Sequence, residues 1–156
     1  MPNEFNANDI FEMAVKIEQN GAVFYRSAAD NIDDEDQKKF LIELAVMEDE
    51  HEATFAAMQK ELTEGEKAAT TFDPQDENVL YLQALADSKV FFKKEEPGNT
   101  LKEILRSAIQ AEKDSIAFYL GMKGLVPGKM GQDKIDAIIK EEMTHIRLLA
   151  GKLAQS

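Results

Sequence analysis

The chain contains no cysteine among its 156 residues. Disulfide bonds, zinc ribbons and iron–sulfur clusters all depend on cysteine sulfur, so this sequence excludes them. A metal ion bound here must therefore be held by carboxylate and imidazole groups. Histidine is scarce as well, with two residues in the whole chain.

Long apolar runs and basic residues are also missing. No stretch approaches the roughly 18 apolar residues that a membrane span needs, and residues 1–8 lack the apolar region of a signal peptide. Lys and Arg total 18 against 30 Asp and Glu, which gives a net charge of -12. This charge repels phosphate backbones and anionic membranes. We expect a soluble cytoplasmic protein with no nucleic-acid or membrane partner.

The sequence contains an internal repeat. Two glutamates 30 residues apart, a histidine three residues after the second, and a tyrosine seven residues after the first recur at an offset of 94 residues. The first set is Glu18, Tyr25, Glu48 and His51, and the second is Glu112, Tyr119, Glu142 and His145. A repeated helical hairpin with this pattern carries the ligand set of a dinuclear metal site in a four-helix bundle.

The apolar periodicity predicts four long amphipathic helices in one domain, 1–156. Helix A covers about 9–30, helix B about 35–62, helix C about 101–121 and helix D about 133–154. Thr100 and Glu103 form a capping box at the start of helix C. Each repeated glutamate falls on the apolar, core-facing side of its helix.

The segment 63–99 is too long for a short turn, and it predicts a crossover with a short helix of its own. Asp73, followed by Pro74, is a typical start for that helix, which we place at about 74–88. The crossover helix either covers apolar surface of the bundle or contributes to a dimer contact. The apolar residues available for these roles are Val79, Leu80, Leu82, Leu85, Phe91 and Phe92.

Buried glutamates need a compensating positive charge, because an unpaired carboxylate in a protein core costs several kcal/mol. No Lys or Arg shares their helix faces, whereas two divalent cations would balance four carboxylates with neutral histidines. Glutamate and histidine three residues apart converge on one point because they share a helix face. We predict two metal ions bound by Glu18, Glu48, His51, Glu112, Glu142 and His145.

Three neighbouring residues are open to two interpretations. Tyr25 and Tyr119 either donate hydrogen bonds to ligating carboxylates of another helix or are ordinary core tyrosines. Glu141 either orients an imidazole or is simply solvated.

The ligand pattern, over residues 9–154, resembles the ferritin-like superfamily and, within it, the rubrerythrin-related proteins. The resemblance implies an all-α, ferritin-like four-helix bundle with one long crossover. It also implies a non-haem di-iron site, with manganese or a mixed pair as alternatives, that reduces peroxide or oxygen in a cytoplasmic homodimer. By this comparison Glu18 and Glu112 are terminal ligands, Glu48 and Glu142 bridge the ions, and each histidine binds one ion.

The sequence differs at several positions from the families that it resembles. Without cysteine it has no rubredoxin domain, so the resemblance implies a separate electron-donor protein. Ser115 stands where rubrerythrins carry an extra carboxylate, and His145 where they carry a glutamate. Bacterioferritins share this symmetric ligand set but bind haem through a methionine at the position of Asp49, so we expect no haem. Iron oxidation and storage, or a metal-stabilised structural bundle, are the alternative functions.

Overall fold

The computed structural model describes residues 7–61, 76–87, 97–126 and 128–155. These residues form helices and no strand, which confirms the predicted all-α class; the single-domain extent stays a prediction. None of the described helices is apolar over a length that could cross a membrane. The helices are α1 (Ala7–Asp30), α2 (Glu35–Lys60), α3 (Glu77–Asp87), α4 (Leu101–Lys123) and α5 (Lys129–Gln155).

Contacts between the helices fix their directions. Helix α1 packs against α2, and α4 against α5. Asn8 of α1 meets Gln59 near the end of α2, so the two helices run antiparallel. Tyr25 meets Glu112 while Glu18 meets Tyr119, so α1 and α4 are antiparallel too. Helices α2 and α4 therefore run parallel, as a long crossover between them requires.

Side-chain caps start α2 and α4. Asp34 accepts a hydrogen bond from the backbone N–H of Gln37 at 3.0 Å. Thr100 accepts one from Glu103 N–H at 3.2 Å, and the Glu103 carboxylate accepts one in return from Asn99 N–H. The predicted capping box is thus present, although the returned bond goes to the residue before the cap.

Two helix ends near residues 121–133 differ from the prediction. Helix α4 continues through Gly121 to Lys123. A Cβ atom at Gly121 would lie 2.7 Å from the Tyr81 ring, so this glycine marks where α3 crosses α4 closely rather than a helix end. Helix α5 begins at Lys129 instead of 133, directly after Gly128, whose φ of 83° makes the turn.

The described crossover helix α3, Glu77–Asp87, lies within the predicted range. It begins at Glu77, because Asp76 is not helical and its side chain accepts a hydrogen bond from Asn78 N–H at 2.8 Å. Val79 and Leu82 are buried in the bundle, whereas Leu80 is 44% exposed. The role of covering apolar surface is therefore confirmed for part of this helix. Asp73, Pro74, Phe91 and Phe92 lie outside the described residues.

Two apolar clusters sit at opposite ends of the bundle core, and the repeated glutamates and histidines occupy the layer between them. One cluster includes Phe11, Phe55, Phe118, Met122 and Ile135. The other includes Phe24, Leu41, Leu44, Leu105 and Leu149. Packing at both ends holds the four helices at fixed separation, and the polar layer is thereby enclosed.

Candidate dinuclear metal centre

The structure brings all six predicted ligands into one buried cluster, with each residue at most 4% exposed. Helices α1 and α4 supply one glutamate each, and α2 and α5 supply one glutamate and one histidine each. The cluster contains two groups whose ligand atoms lie within 4.8 Å of one another. One group is Glu18, Glu48, His51 and Glu142; the other is Glu48, Glu112, Glu142 and His145.

Glu48 and Glu142 belong to both groups, so the two groups share two carboxylates. This sharing follows from the helix directions, because α2 and α5 are antiparallel and present these glutamates to each other. Two cations held by such groups would be neighbours rather than separate sites. The arrangement is what a bridging role for Glu48 and Glu142 requires.

Both imidazoles face the carboxylates with Nδ1. His51 Nδ1 lies 3.1 Å from Glu142 Oε1 and 3.6 Å from Glu18 Oε2. His145 Nδ1 lies 3.2 Å from Glu142 Oε2 and 3.4 Å from Glu112 Oε1. The rings stack nearly parallel, with their centroids 6.0 Å apart. Nδ1 is therefore the nitrogen that each histidine offers to a cation.

The buried tyrosines tie the two hairpins together through the outer glutamates. Tyr25 of α1 donates a hydrogen bond to Glu112 Oε1 at 2.7 Å, and Tyr119 of α4 donates one to Glu18 Oε1 at 2.6 Å. Both tyrosines therefore contact the cluster through hydrogen bonds, as the first of the two interpretations expects. Each bond leaves the second oxygen of its glutamate free for another contact.

On the outer side of the cluster, the Nε2 atoms of the histidines meet two different side chains. His51 Nε2 hydrogen-bonds with Glu141 Oε2 of α5, so Glu141 makes the contact with an imidazole that an orienting role requires. His145 Nε2 lies 3.3 Å from Met47 Sδ of α2. The sequence prediction missed Met47, although it stands 94 residues before Glu141 and so occupies the equivalent place in the repeat.

Burial and crowding change the acidity of these groups. Burial, together with the neighbouring carboxylates, raises the pKa of Glu48 well above its usual value and that of Glu112 to about 7. Burial lowers the pKa of both histidines, but the adjacent carboxylates outweigh it and raise the pKa of His51 to about 11 and of His145 to about 9. Without cations, the cluster therefore retains protons on its histidines at neutral pH.

The chemistry of the donors fits two divalent cations. Glu18 Oε2, Glu112 Oε2, Glu142 Oε2 and His145 Nδ1 are buried without a hydrogen-bond partner, and each such atom costs about 1 to 3 kcal/mol. Within the part of the chain that the structure describes, no Lys or Arg forms an ion pair with the cluster. Carboxylate oxygen and imidazole nitrogen together suit iron and manganese. Cations would satisfy these atoms and balance their charge.

Gly21 leaves space for the Glu48 side chain, a feature that the sequence prediction also missed. A Cβ atom at Gly21 would lie 3.2 Å from Glu48 Cδ and 3.5 Å from its Oε1. The position equivalent to Gly21 in the second half of the chain is Ser115, 94 residues later. Its hydroxyl donates to the backbone carbonyl of Ala111 at 3.0 Å, so Ser115 adds no ligand to the cluster.

Comparison with known proteins identifies the family of this chain. The sequence profile of the rubrerythrin family matches residues 9–151. The chain belongs to the rubrerythrin family. A solved structure similar to this member is that of a candidate ferritin-like diiron-carboxylate protein from Thermotoga maritima, with a TM-score of 0.73 and 26% sequence identity. The match covers 99% of this chain and 98% of that chain, which confirms the ferritin-like fold. No curated protein matches the chain significantly.

Proposed function

We propose that this rubrerythrin-family chain is a non-haem di-iron oxidoreductase that reduces peroxide or oxygen. The observation that carries the proposal is the sharing of Glu48 and Glu142 by two carboxylate–imidazole groups. Neighbouring ions with shared carboxylates can change oxidation state together. The diiron-carboxylate description of the Thermotoga maritima protein supports iron, with manganese or a mixed pair as alternatives.

In this proposal the six residues have separate roles. Glu18 and His51 would hold one ion, Glu112 and His145 would hold the other, and Glu48 and Glu142 would serve both. When bound, a pair of ferrous ions supplies the two electrons that, with two protons, reduce hydrogen peroxide to two water molecules. An electron-donor protein must then return two electrons.

The tyrosines hold the terminal ligands in place. Burial and the nearby carboxylates raise the pKa of Tyr25 and Tyr119 well above the usual value. Both hydroxyls therefore keep their protons across the physiological range and remain hydrogen-bond donors. Each fixes one oxygen of Glu112 or Glu18, while the other oxygen is buried without a hydrogen-bond partner.

Reaction of the reduced protein with each oxidant tests the proposal. The chain is reconstituted anaerobically with ferrous iron, its iron content is measured, and stopped-flow absorbance follows reoxidation by peroxide and by oxygen. We expect two iron ions per chain and faster reoxidation by peroxide. The Glu142→Ala variant should lose this reaction, and Glu50→Ala, a change on the exposed face of α2, should retain it.

Other outcomes would identify the alternative functions. Reoxidation by peroxide that is no faster than by oxygen, with a large excess of iron then retained in solution, would establish storage. Binding of two ions without turnover by either oxidant would indicate a metal-stabilised structural bundle. The cytoplasmic location, the homodimer and the electron-donor protein stay predictions; light scattering tests the dimer.

A further inference from the structure

The internal repeat is broken directly outside the ligand cluster. Positions 47 and 141 are equivalent under the 94-residue offset, but one is methionine and the other glutamate. Each side chain reaches the histidine of the other half. Glu141 hydrogen-bonds with Nε2 of His51, and Met47 Sδ lies 3.3 Å from Nε2 of His145.

The contacts closer to the cluster do not show this difference. Both histidines present Nδ1 to carboxylates, both terminal glutamates accept a tyrosine hydrogen bond, and both groups share the same two bridging candidates. The two halves of the cluster thus offer the same donor types. The partner of Nε2 is the difference between the two histidines; away from the imidazoles, Gly21 and its equivalent Ser115 also break the repeat.

That partner changes how strongly an imidazole donates to a cation. When Nδ1 binds a metal ion, Nε2 carries the ring proton and needs an acceptor. A carboxylate is a strong, charged acceptor, whereas a thioether sulfur is a weak one. A hydrogen bond to a carboxylate fixes the ring and increases the basicity of the coordinating nitrogen. His51 is therefore the stronger donor and His145 the weaker.

The location of Glu141 suits this role. Its side chain is half exposed, while the His51 side chain is 4% exposed, so the carboxylate lies at the surface over an enclosed ring. Met47 covers the fully enclosed ring of His145 with sulfur. A charged acceptor at the His51 ring and a weak, uncharged acceptor at the His145 ring give the two halves of the cluster different surroundings.

We propose that Glu141 and Met47 act as positioning residues that make the two metal positions unequal, so that the ion held by Glu18 and His51 binds first and more tightly than the ion held by Glu112 and His145. This inference rests on the proposed dinuclear site. The difference in affinity between the two metal positions is attributed to Glu141 and Met47, which are not ligands.

Titration of the metal-free protein with Co²⁺, followed by calorimetry and by visible absorption, tests the inference. The Glu141→Met variant gives both histidines a thioether, and it should weaken the first binding step about 10- to 100-fold, the usual effect of losing an outer partner of a ligand. The second step should change little. The Met47→Glu variant gives both histidines a carboxylate, and it should strengthen the second step instead.

A matched control separates this effect from loss of one negative charge. Glu50→Met makes the same substitution next to His51 in sequence, at an exposed position without a cluster contact, and should leave both steps unchanged. Glu141→Gln keeps an acceptor for Nε2 without the charge, and should weaken the first step less than Glu141→Met does. Circular dichroism of each metal-free variant establishes that the helices are intact.

The results distinguish failure of this inference from failure of the proposed site. Fewer than two Co²⁺ ions bound by the unmodified chain would reject the dinuclear site itself. Two bound ions, with both steps equally weakened in Glu141→Met or neither step changed, would overturn the unequal positions and leave the site intact. If Glu141→Met does not fold, Glu141→Gln and Met47→Glu decide the question by the same criterion.

Discussion

Removal of the metal should make the stability of this protein fall as pH rises through the neutral range. Glu112 shows why. Its pKa is about 7 in the folded chain, whereas a glutamate in an unfolded chain titrates near pH 4.3. Between these values the folded state binds more protons than the unfolded state. The stabilisation by the protonated carboxyl is therefore complete below pH 4.3 and is lost as pH rises to about 7.

The magnitude follows from the size of the shift. Each pKa unit corresponds to about 1.4 kcal/mol, so Glu112 alone should account for about 3 kcal/mol between pH 4.3 and 7. The raised pKa of Glu48 acts in the same direction. His51 and His145, with pKa values of about 11 and 9, continue the loss above pH 6.5. A typical domain has a free energy of unfolding of about 5 to 15 kcal/mol, so this loss is a large fraction of the total stability.

Urea unfolding of the chelator-treated protein at pH 5, 6 and 7 measures this loss. We expect the free energy of unfolding to decrease by at least about 1 kcal/mol per pH unit. The Glu112→Gln variant, which cannot titrate, should show a shallower slope, and Glu50→Gln should keep the original one. In the metal-loaded protein the slope should reverse, because cations compete with protons for the same atoms. A metal-free protein whose stability is constant or increases from pH 5 to 7 would refute the buried acidic cluster.

Three substitutions provide further tests. Glu48→Ala should abolish tight binding of the metal pair, as measured by equilibrium dialysis, whereas Glu50→Ala should leave it unchanged. Equal effects of the two substitutions would mean that the inner face of α2 is wrongly assigned. Tyr119→Phe should lower the free energy of unfolding by about 1 to 3 kcal/mol, because a buried oxygen of Glu18 loses its donor; an unchanged urea midpoint would contradict this. Gly21→Ala should displace the Glu48 carboxylate and weaken metal binding, with little change in helix content by circular dichroism; unchanged affinity would show that Glu48 has room to adjust.

The helical period accounts for most of what the sequence predicts correctly. Residues three, four and seven apart share a helix face, so Glu18 and Tyr25, or Glu48 and His51, had to point in one direction once their helices formed. The repeat then showed that two such faces exist. Tyr119, seven residues after Glu112, could reach a carboxylate of a different helix for the same reason, and it does so at Glu18.

Features that depend on contact between distant segments were not predictable. The sequence predicts a helix end at Gly121, because glycine often lies at the end of a helix. In the structure, Gly121 lies within α4, and its lack of a side chain leaves space for the Tyr81 ring of α3. The contact of Met47 with His145 depends on the relative rotation of α2 and α5, which no local pattern defines. The starts of α3 and α5 depend on which of several capping residues the turn uses, here Asp76 and Gly128.

The division of ligands between the hairpins links folding of this chain to its metal chemistry. Each group in the cluster takes three residues from one hairpin and one glutamate from the other, Glu142 in the first group and Glu48 in the second. The tyrosine hydrogen bonds cross in the same way. Neither hairpin alone can complete a group, so the site forms only when α1–α2 and α4–α5 dock. Bound cations would therefore act as cross-links between the halves, while without cations the carboxylates would repel one another increasingly as the cluster loses its protons with rising pH.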